Sequence, residues 1–235
     1  MTTQPEITRA MALLLDLDGT LLEFAPTPDT VVVPPTLPPA LAALQTRLGG
    51  ALAIITGRPV AQIDALLPGI PAVAGEHGGA IRHTPHGDIE RGAHPPVPEA
   101  WLAEAEAALA ARPGTLLERK AHGVALHFRR APEAGPALRT LAEALVARLP
   151  SHALLAGNMV WEVRPRGIDK GGAVRALMAR PPFAGRIPLF VGDDVTDEDA
   201  IAAARALGGI GLKVDEAFGT PQGVRDWLAR EAARG

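Results

Sequence analysis

The chain of 235 residues contains no cysteine, and its apolar runs are all short. Without cysteine it can form neither disulfides nor thiolate metal sites, so any bound metal must be held by oxygen ligands or by histidine. The apolar runs are interrupted by proline, glycine or aspartate well before the roughly 20 residues that a membrane span requires. We therefore expect a protein that does not cross a membrane.

A basic surface of the kind that attracts nucleic acid or anionic lipid is also missing, because the formal net charge is −3. The first apolar run has no basic leader before it and continues into an acidic motif instead of a cleavage site. We expect a cytoplasmic protein whose partner is a small molecule, with no binding to nucleic acid or membrane. The sequence leaves the oligomeric state open, and a monomer is compatible with it.

Short apolar runs that end abruptly in polar residues predict buried strands at 12–15, 51–55 and 188–191. Apolar residues at helical spacing predict helices at 37–48 and at about 197–206. Strands that alternate with helices are typical of a parallel sheet covered by helices. The sequence therefore predicts an α/β fold.

The middle of the chain has a different composition. Histidine, proline and glycine accumulate after Arg82, before a helix that begins near Glu99. Alternating patterns at 115–129 and 158–163 predict antiparallel strands, with a helix at 137–148 between them. We interpret this region as an inserted α+β module of about 75 residues. The predicted domains are 1–85 with 165–235 for the α/β core, and 86–164 for the insertion.

The segment LLLDLDGTLL brings two aspartates to the end of the first predicted strand. Asp16 and Asp18 are two positions apart, so both carboxylates leave the strand on the same side. Ligands of parallel α/β sheets bind at the carboxyl ends of the strands. Two acids there could coordinate a hard cation, or one could attack phosphorus while the other moves protons. A strand followed by a plain Asp-Gly turn is the structural alternative.

The second predicted strand ends in Thr56 and Gly57, within the segment LAIITGRP. A hydroxyl and backbone N–H groups at a turn from strand to helix can hold a phosphate oxygen. Thr56 could equally cap the helix predicted at 60–67. The two interpretations are compatible with each other.

Lys170 precedes a predicted helix in the segment RPRGIDKGGAV. Its ammonium could neutralise both an incoming phosphate and a crowded acidic site. A solvated lysine in a glycine-rich turn is the alternative. Only three lysines occur among the 23 basic residues, so a lysine at this position is not filler.

The third predicted strand ends in Asp193 and Asp194, within PLFVGDDVTDEDAI. Helix capping explains part of this acidic segment, because Thr196 and Asp199 have the spacing of a capping box. Capping does not explain two adjacent carboxylates at the end of a buried strand, which repel each other unless a cation or proton intervenes. We therefore take Asp193 and Asp194 as candidate metal ligands.

These four motifs, in this order, resemble those of the haloacid dehalogenase superfamily of phosphotransferases. The resemblance implies a Rossmann-like core, a parallel sheet flanked by helices, and an inserted α+β cap domain of the C2 type. It implies that Asp16 attacks phosphorus and that Asp18 acts first as general acid and then as general base. Thr56 and Lys170 would steady the phosphoryl group. Mg²⁺ would be held by Asp16, the backbone carbonyl of Asp18, and Asp193.

Further segments narrow the resemblance to the trehalose-6-phosphate phosphatases, which are phosphoric monoester hydrolases. These segments are DLDGTLLEFAPTPDTVVVP, AGEHGGAIR, ERKAHGVALHFR, GNMVWEVRPRGIDKGGAV and GDDVTDEDA, and they extend over residues 13 to 203. The resemblance implies hydrolysis of trehalose 6-phosphate, with the insertion as a lid that reads the sugar. The implied substrate-binding residues are Gly57, Arg58 and His77 in the core, and Glu118, Lys120, His127, Arg129, Asn158 and Glu162 in the insertion.

Several alternatives stay open at this point. The insertion residues could be only the wet face of a half-covered sheet. The substrate could be sucrose 6-phosphate or mannosyl-3-phosphoglycerate, and the same aspartyl-phosphate could be passed to a sugar hydroxyl by a phosphomutase. A binding protein that kept the fold without catalysis is a further alternative. Pro- and Gly-rich segments near 95–98 and 165–167 have the composition of hinges, so closure of the lid is a hypothesis.

Overall fold

The computed structural model describes residues 4–70 and 72–234. Within them the strands are β1 (Met11–Leu15), β2 (Leu52–Ile55), β3 (Ala72–Gly75), β4 (Ala80–Arg82), β5 (Glu90–Arg91), β6 (Leu116–Arg119), β7 (Val124–His127), β8 (His152–Gly157), β9 (Val160–Pro165), β10 (Ile187–Gly192) and β11 (Ile210–Lys213). The α-helices are α1 (Leu37–Arg47), α2 (Val60–Leu66), α3 (Glu99–Ala110), α4 (Gly135–Arg148), α5 (Lys170–Met178), α6 (Glu198–Ala206), α7 (Val214–Ala217) and α8 (Pro221–Ala232). Within these residues, every helix is too short or too polar to span a bilayer.

The chain divides into two compact units. One combines the segment up to Arg91 with the segment from Asp169 onward, and the other is Gly92–Ile168. The sequence predicts the insertion at 86–164, so the second unit differs from the predicted range at both ends. At the first end the reason is β5, which pairs with β4 and so keeps the chain in the first sheet as far as Arg91.

The first unit is built on a seven-stranded sheet of order β11-β10-β1-β2-β3-β4-β5. The pairs from β11 to β3 are parallel, and β4 and β5 are antiparallel additions at one edge. Every residue of β2 is buried, as expected for strands with both faces covered. Helix α1 packs against α8, and α5 against α6. This is the α/β architecture with a parallel sheet that the sequence predicts.

The second unit has a four-stranded antiparallel sheet of order β6-β7-β9-β8. Helix α3 packs against β6, and α4 packs against β8 and β9. Its own apolar core includes Trp101, Leu126 and Leu138. The indole N–H of Trp161 donates to the carbonyl of Gly135 at 2.8 Å, which ties the sheet to the start of α4.

The insertion differs from the prediction in one element. The sequence predicts a strand at 158–163 directly after the helix, but the structure has a hairpin of β8 and β9. Asn158 and Met159 form its turn, and Met159 has a φ of 61°, in the left-handed region. Asn158 therefore lies in a turn and not in a strand.

Candidate active site

The polar residues that follow β1, β2 and β10 meet at one edge of the first sheet. Leu13 of β1 pairs with Leu52 of β2 and with Leu189 of β10, and both pairings are parallel. The carboxyl ends of the three strands therefore lie side by side, and Asp16, Thr56 and Asp193 follow them. In open α/β sheets this edge is where ligands bind.

Lys170 links two of the acids at this edge. It is the first residue of α5, and its side chain is almost fully buried. Its ammonium donates to Asp16 Oδ1 at 2.6 Å and to Asp197 Oδ1 at 2.6 Å. Burial opposes the charged form, but the two carboxylates outweigh it and raise the pKa of Lys170 above its usual value. Lys170 is therefore a charged group inside the site and not a solvated lysine.

Three carboxylates are crowded around this ammonium. One oxygen from each of Asp16, Asp193 and Asp197 lies within 4.8 Å of the others. Burial, followed by repulsion from Asp197, raises the pKa of Asp16 well above its usual value. The same two causes raise the pKa of Asp193 to about 6. A set of hard oxygen donors that repel one another is what a divalent cation stabilises, so these residues fit a metal site.

The turn after Asp18 brings the chain against Asp193. Gly19 has a φ of +82°, and a Cβ added there would lie 2.1 Å from Asp193 Oδ2. The hydroxyl of Thr20 donates to Asp193 Oδ1 at 3.1 Å and lies 3.3 Å from Asp16 Oδ2. Only glycine allows this close approach, so the DGT segment fixes two of the three acids relative to each other.

Asp18 does not belong to the crowded acids. Its carboxylate receives a two-pronged contact from the guanidinium of Arg58, with Nε 2.6 Å from Oδ2 and Nη2 2.7 Å from Oδ1. The two aspartates of the DLD segment thus have different cations, Lys170 for Asp16 and Arg58 for Asp18. The pairing of Asp18 with Arg58 does not follow from any local sequence pattern.

Thr56, Gly57 and His77 come together beside β2. The hydroxyl of Thr56 accepts the N–H of Arg58 at 3.2 Å, and the carbonyl of Thr56 accepts the N–H of His77 at 2.9 Å. A Cβ added at Gly57 would lie 2.7 Å from Nε2 of His77. The N-cap position of helix α2 is Pro59 and not Thr56, so the alternative role of Thr56 as its N-cap is wrong.

Asp197 is a residue of the site that the sequence patterns do not predict. Its side chain is fully buried, and its Oδ2 accepts the N–H groups of Asp193 at 3.1 Å and of Asp194 at 3.0 Å. Asp194, predicted as a metal ligand, is not among the three crowded acids. Its carboxylate instead accepts the N–H of Val195 at 2.6 Å and caps the 3₁₀ turn Val195–Asp197. The sequence signal for Asp197 is the acidic segment after GDD, part of which helix capping explains.

In the second unit, four of the predicted sugar-binding residues form two charged pairs. Glu118, Ala125 and Glu162 are cross-strand neighbours on β6, β7 and β9, so the two glutamates share a face. Lys120 Nζ lies 2.5 Å from Glu162 Oε1, and both side chains are largely buried. His127 Nε2 lies 2.9 Å from Glu118 Oε2.

Glu118 is held in its charged form. Burial opposes ionisation, but the hydrogen bond from His127 and the charge of Lys120 together lower the pKa of Glu118. At one end of this sheet, Arg129 Nη2 donates to the carbonyl of Asn158 at 2.9 Å. Glu118, Lys120, His127 and Glu162 are thus paired with one another, and Arg129 contacts the backbone of Asn158.

The chain is similar to one family of known proteins along most of its length. The trehalose-phosphatase family model matches residues 14–223. The chain is 42% identical over 226 residues to a Sinorhizobium fredii protein named "Probable trehalose-phosphate phosphatase", covering 95% of this chain and 85% of that protein. It is 41% identical over 220 residues to the trehalose-6-phosphate phosphatase of Escherichia coli, covering 91% and 81%.

A solved structure shares the fold. The C-terminal domain of the C. albicans trehalose-6-phosphate phosphatase superposes with a TM-score of 0.79, at 20% identity, over 96% of this chain and 93% of that chain.

Proposed function

The chain belongs to the trehalose-phosphatase family, and we propose that it hydrolyses trehalose 6-phosphate to trehalose and inorganic phosphate through an aspartyl-phosphate on Asp16. The observation that carries the mechanism is the buried contact between Lys170 and Asp16 at the carboxyl edge of the sheet. A carboxylate there can attack phosphorus, because the cation beside it offsets the charge of an approaching phosphate.

In the first step, an oxygen of Asp16 forms a bond to phosphorus as the bond from phosphorus to the sugar oxygen breaks. Asp18, as a carboxylic acid, gives its proton to the departing sugar oxygen, so trehalose leaves as a neutral alcohol. Asp18 is then a carboxylate and Asp16 an acyl phosphate. Lys170, Thr56 and the N–H of Gly57 would hold the phosphoryl oxygens.

In the second step, water attacks phosphorus and gives a proton to the Asp18 carboxylate. The bond from Asp16 to phosphorus breaks, which releases inorganic phosphate and regenerates Asp16 as a carboxylate. Asp18 again carries the proton that the next turnover needs. The pair of steps replaces one difficult displacement by two easier ones.

We propose Mg²⁺ as the metal, since the donors of this site are hard oxygens. Asp16, Asp193 and the carbonyl of Asp18 would hold it, with Asp197 adjacent to them. Asp194, which the sequence offers as a further ligand, accepts the N–H of Val195 and is left out of this set. When bound, the cation would offset charge on the phosphoryl oxygens. The rest of the mechanism is the work of the side chains described above.

We propose that Glu118, Lys120, His127, Arg129, Asn158 and Glu162 read the sugar hydroxyls. Carboxylate and amide groups match a ligand that offers many hydroxyls and no carboxylate. In the first unit, His77 lies against Gly57, and we propose that it also contacts the substrate. We also propose that the protein is located in the cytoplasm.

The test is phosphate release from a panel of trehalose 6-phosphate, sucrose 6-phosphate, mannosyl-3-phosphoglycerate and glucose 6-phosphate, each with Mg²⁺ and with EDTA. The proposal requires a preference for trehalose 6-phosphate by orders of magnitude and no release in EDTA. A different preferred substrate would leave the core mechanism standing and overturn the assignment of the sugar-binding residues.

A further inference from the structure

We propose that Arg58 is a positioning residue for Asp18, holding the carboxyl group that passes the proton to and from the leaving sugar oxygen. This inference rests on the proposed function, in which Asp18 is the acid and base. It differs from the direct role in substrate binding that the family resemblance implies for Arg58.

The contact between the two side chains fixes the carboxyl group in space. Arg58 donates from Nε to one oxygen of Asp18 at 2.6 Å and from Nη2 to the other at 2.7 Å. A planar guanidinium that meets both oxygens restricts the rotation of the carboxyl group as well as its position. The Asp18 side chain is 25% exposed, so packing alone does not hold it.

Arg58 is itself anchored on several sides. Its Nη1 donates to Gln62 Oε1 on α2 at 3.2 Å, and its backbone N–H donates to the hydroxyl of Thr56. Its carbonyl accepts the N–H of Glu76 at 3.0 Å. A Cβ added at Gly75 would lie 2.7 Å from that carbonyl oxygen, so the absence of a side chain at the end of β3 lets the two backbones approach closely. An anchored guanidinium can hold a catalytic group with little loss of freedom on substrate binding.

The two cations of the site serve different carboxylates. Lys170 donates to Asp16 and Asp197, whereas the fork of Arg58 is on Asp18. This division matches the two tasks of the reaction, attack on phosphorus and transfer of a proton.

The pairing is compatible with both states of Asp18 during turnover. As a carboxylate, Asp18 accepts both N–H donors of the fork. As a carboxylic acid, it can keep one of these bonds through its carbonyl oxygen and present its O–H to the leaving oxygen. When that proton moves to the sugar oxygen, the second bond reforms, so the charge that develops on Asp18 is stabilised in the transition state.

A role through Asp18 can be separated from a role in phosphate binding by the leaving group. A sugar alkoxide needs a proton to depart, whereas 4-nitrophenolate is a much weaker base and departs without one. The ratio kcat/KM reports only the steps up to the first departure. Loss of proton transfer therefore lowers kcat/KM for trehalose 6-phosphate and spares 4-nitrophenyl phosphate, while loss of phosphate binding lowers both.

The experiment measures kcat/KM for both substrates in the wild type and in Arg58→Met, Arg58→Lys, Asp18→Asn and the double variant Arg58→Met/Asp18→Asn. The matched control is Arg82→Met. Arg82 is similarly buried and forms an equivalent fork on Asp64, at 2.8 and 2.7 Å, away from Asp18. Thermal unfolding of each variant records its stability, and Arg58→Lys, which keeps the charge, serves if Arg58→Met does not fold.

We expect Arg58→Met to lower kcat/KM for trehalose 6-phosphate by about 100-fold, the scale of general acid catalysis, and that for 4-nitrophenyl phosphate by no more than about threefold. The double variant should be no worse than Asp18→Asn alone, because both changes remove the same function. Arg82→Met should change both substrates to the same small extent.

Equal losses on the two substrates, or losses that add in the double variant, would overturn the positioning role and favour phosphate binding by Arg58. If the wild type prefers another sugar phosphate, the proposed substrate fails, but the comparison stands with that sugar phosphate in its place. A wild type that hydrolyses neither class of ester would overturn the proposed function and this role together.

Discussion

The ammonium of Lys170 lies 2.6 Å from Oδ1 of Asp16, although 154 positions separate the two residues in the chain. The same ammonium is 2.6 Å from Asp197, so a single cation is shared by two buried carboxylates. With Asp193 nearby, this cluster contains three acids and one ammonium. Its excess of negative charge would be costly in a purely structural core, and it is what a metal-dependent phosphotransfer site requires.

We expect Asp197→Asn to lower kcat by about 10- to 100-fold, the usual cost of losing a group that orients metal ligands. An amide cannot accept from Lys170 and from the N–H groups of Asp193 and Asp194 as a carboxylate does. The matched control is Asp194→Asn, whose side chain caps one 3₁₀ turn and should cost only a few-fold. An equal loss in Asp194→Asn would instead favour the direct metal role predicted for it from the sequence.

Asp193→Asn should stabilise the metal-free protein at pH 7. The pKa of Asp193 is raised to about 6, so its ionised form opposes folding above that pH. Between about pH 4 and pH 6 the folded protein binds more protons than the unfolded chain, so wild-type stability falls as pH rises.

Because Asp193 is partly exposed, solvent screens its interactions and reduces this effect. We expect Asp193→Asn to raise the free energy of unfolding by about 1–2 kcal/mol at pH 7, with no gain below about pH 4. Denaturant unfolding in EDTA at both pH values measures it. A variant no more stable than the wild type at pH 7 would show that burial and the neighbouring charges do not destabilise the ionised form of Asp193.

Glu162→Gln should raise KM for trehalose 6-phosphate about tenfold, the value of one charged hydrogen bond, with kcat changed much less. The reason is that Glu162 is proposed to bind the sugar while it pairs with Lys120. KM for 4-nitrophenyl phosphate, which has no sugar, should stay the same. Glu104→Gln, which breaks the exposed pair with Arg148 in the same unit, is the control. A rise in KM for both substrates would argue against sugar recognition.

The strand ends of the core could be predicted because their signal is local. An apolar run such as 12–15 followed at once by Asp16 predicts a buried strand and a ligand-binding residue at its carboxyl end. The strand at 152–157 was missed because the segment HALLAG has neither alternation nor β-branched residues, so its alanines and leucines favour no strand. It forms because β9 pairs with it across the hairpin.

The roles that the sequence does not predict in the site are those that depend on distant partners. Asp197 has the local sequence of a helix cap, and only the fold shows that it reaches Lys170. In the same way Arg58 follows Thr56 in a motif typical of phosphate binding, while its contact with Asp18 spans 40 positions. Spacing along the chain predicts which strand end a group occupies, but not which charge it meets there.

The most direct test of the account is release of phosphate from trehalose 6-phosphate by the wild type and by Asp16→Asn, with Mg²⁺ and with EDTA. An amide at position 16 cannot serve as the attacking carboxylate, so the account predicts rapid release by the wild type with Mg²⁺, none in EDTA, and none by the variant. Folding of the variant is checked by thermal unfolding in the same buffer. Release by a folded Asp16→Asn at the wild-type rate would contradict the assignment of Asp16 as the nucleophile.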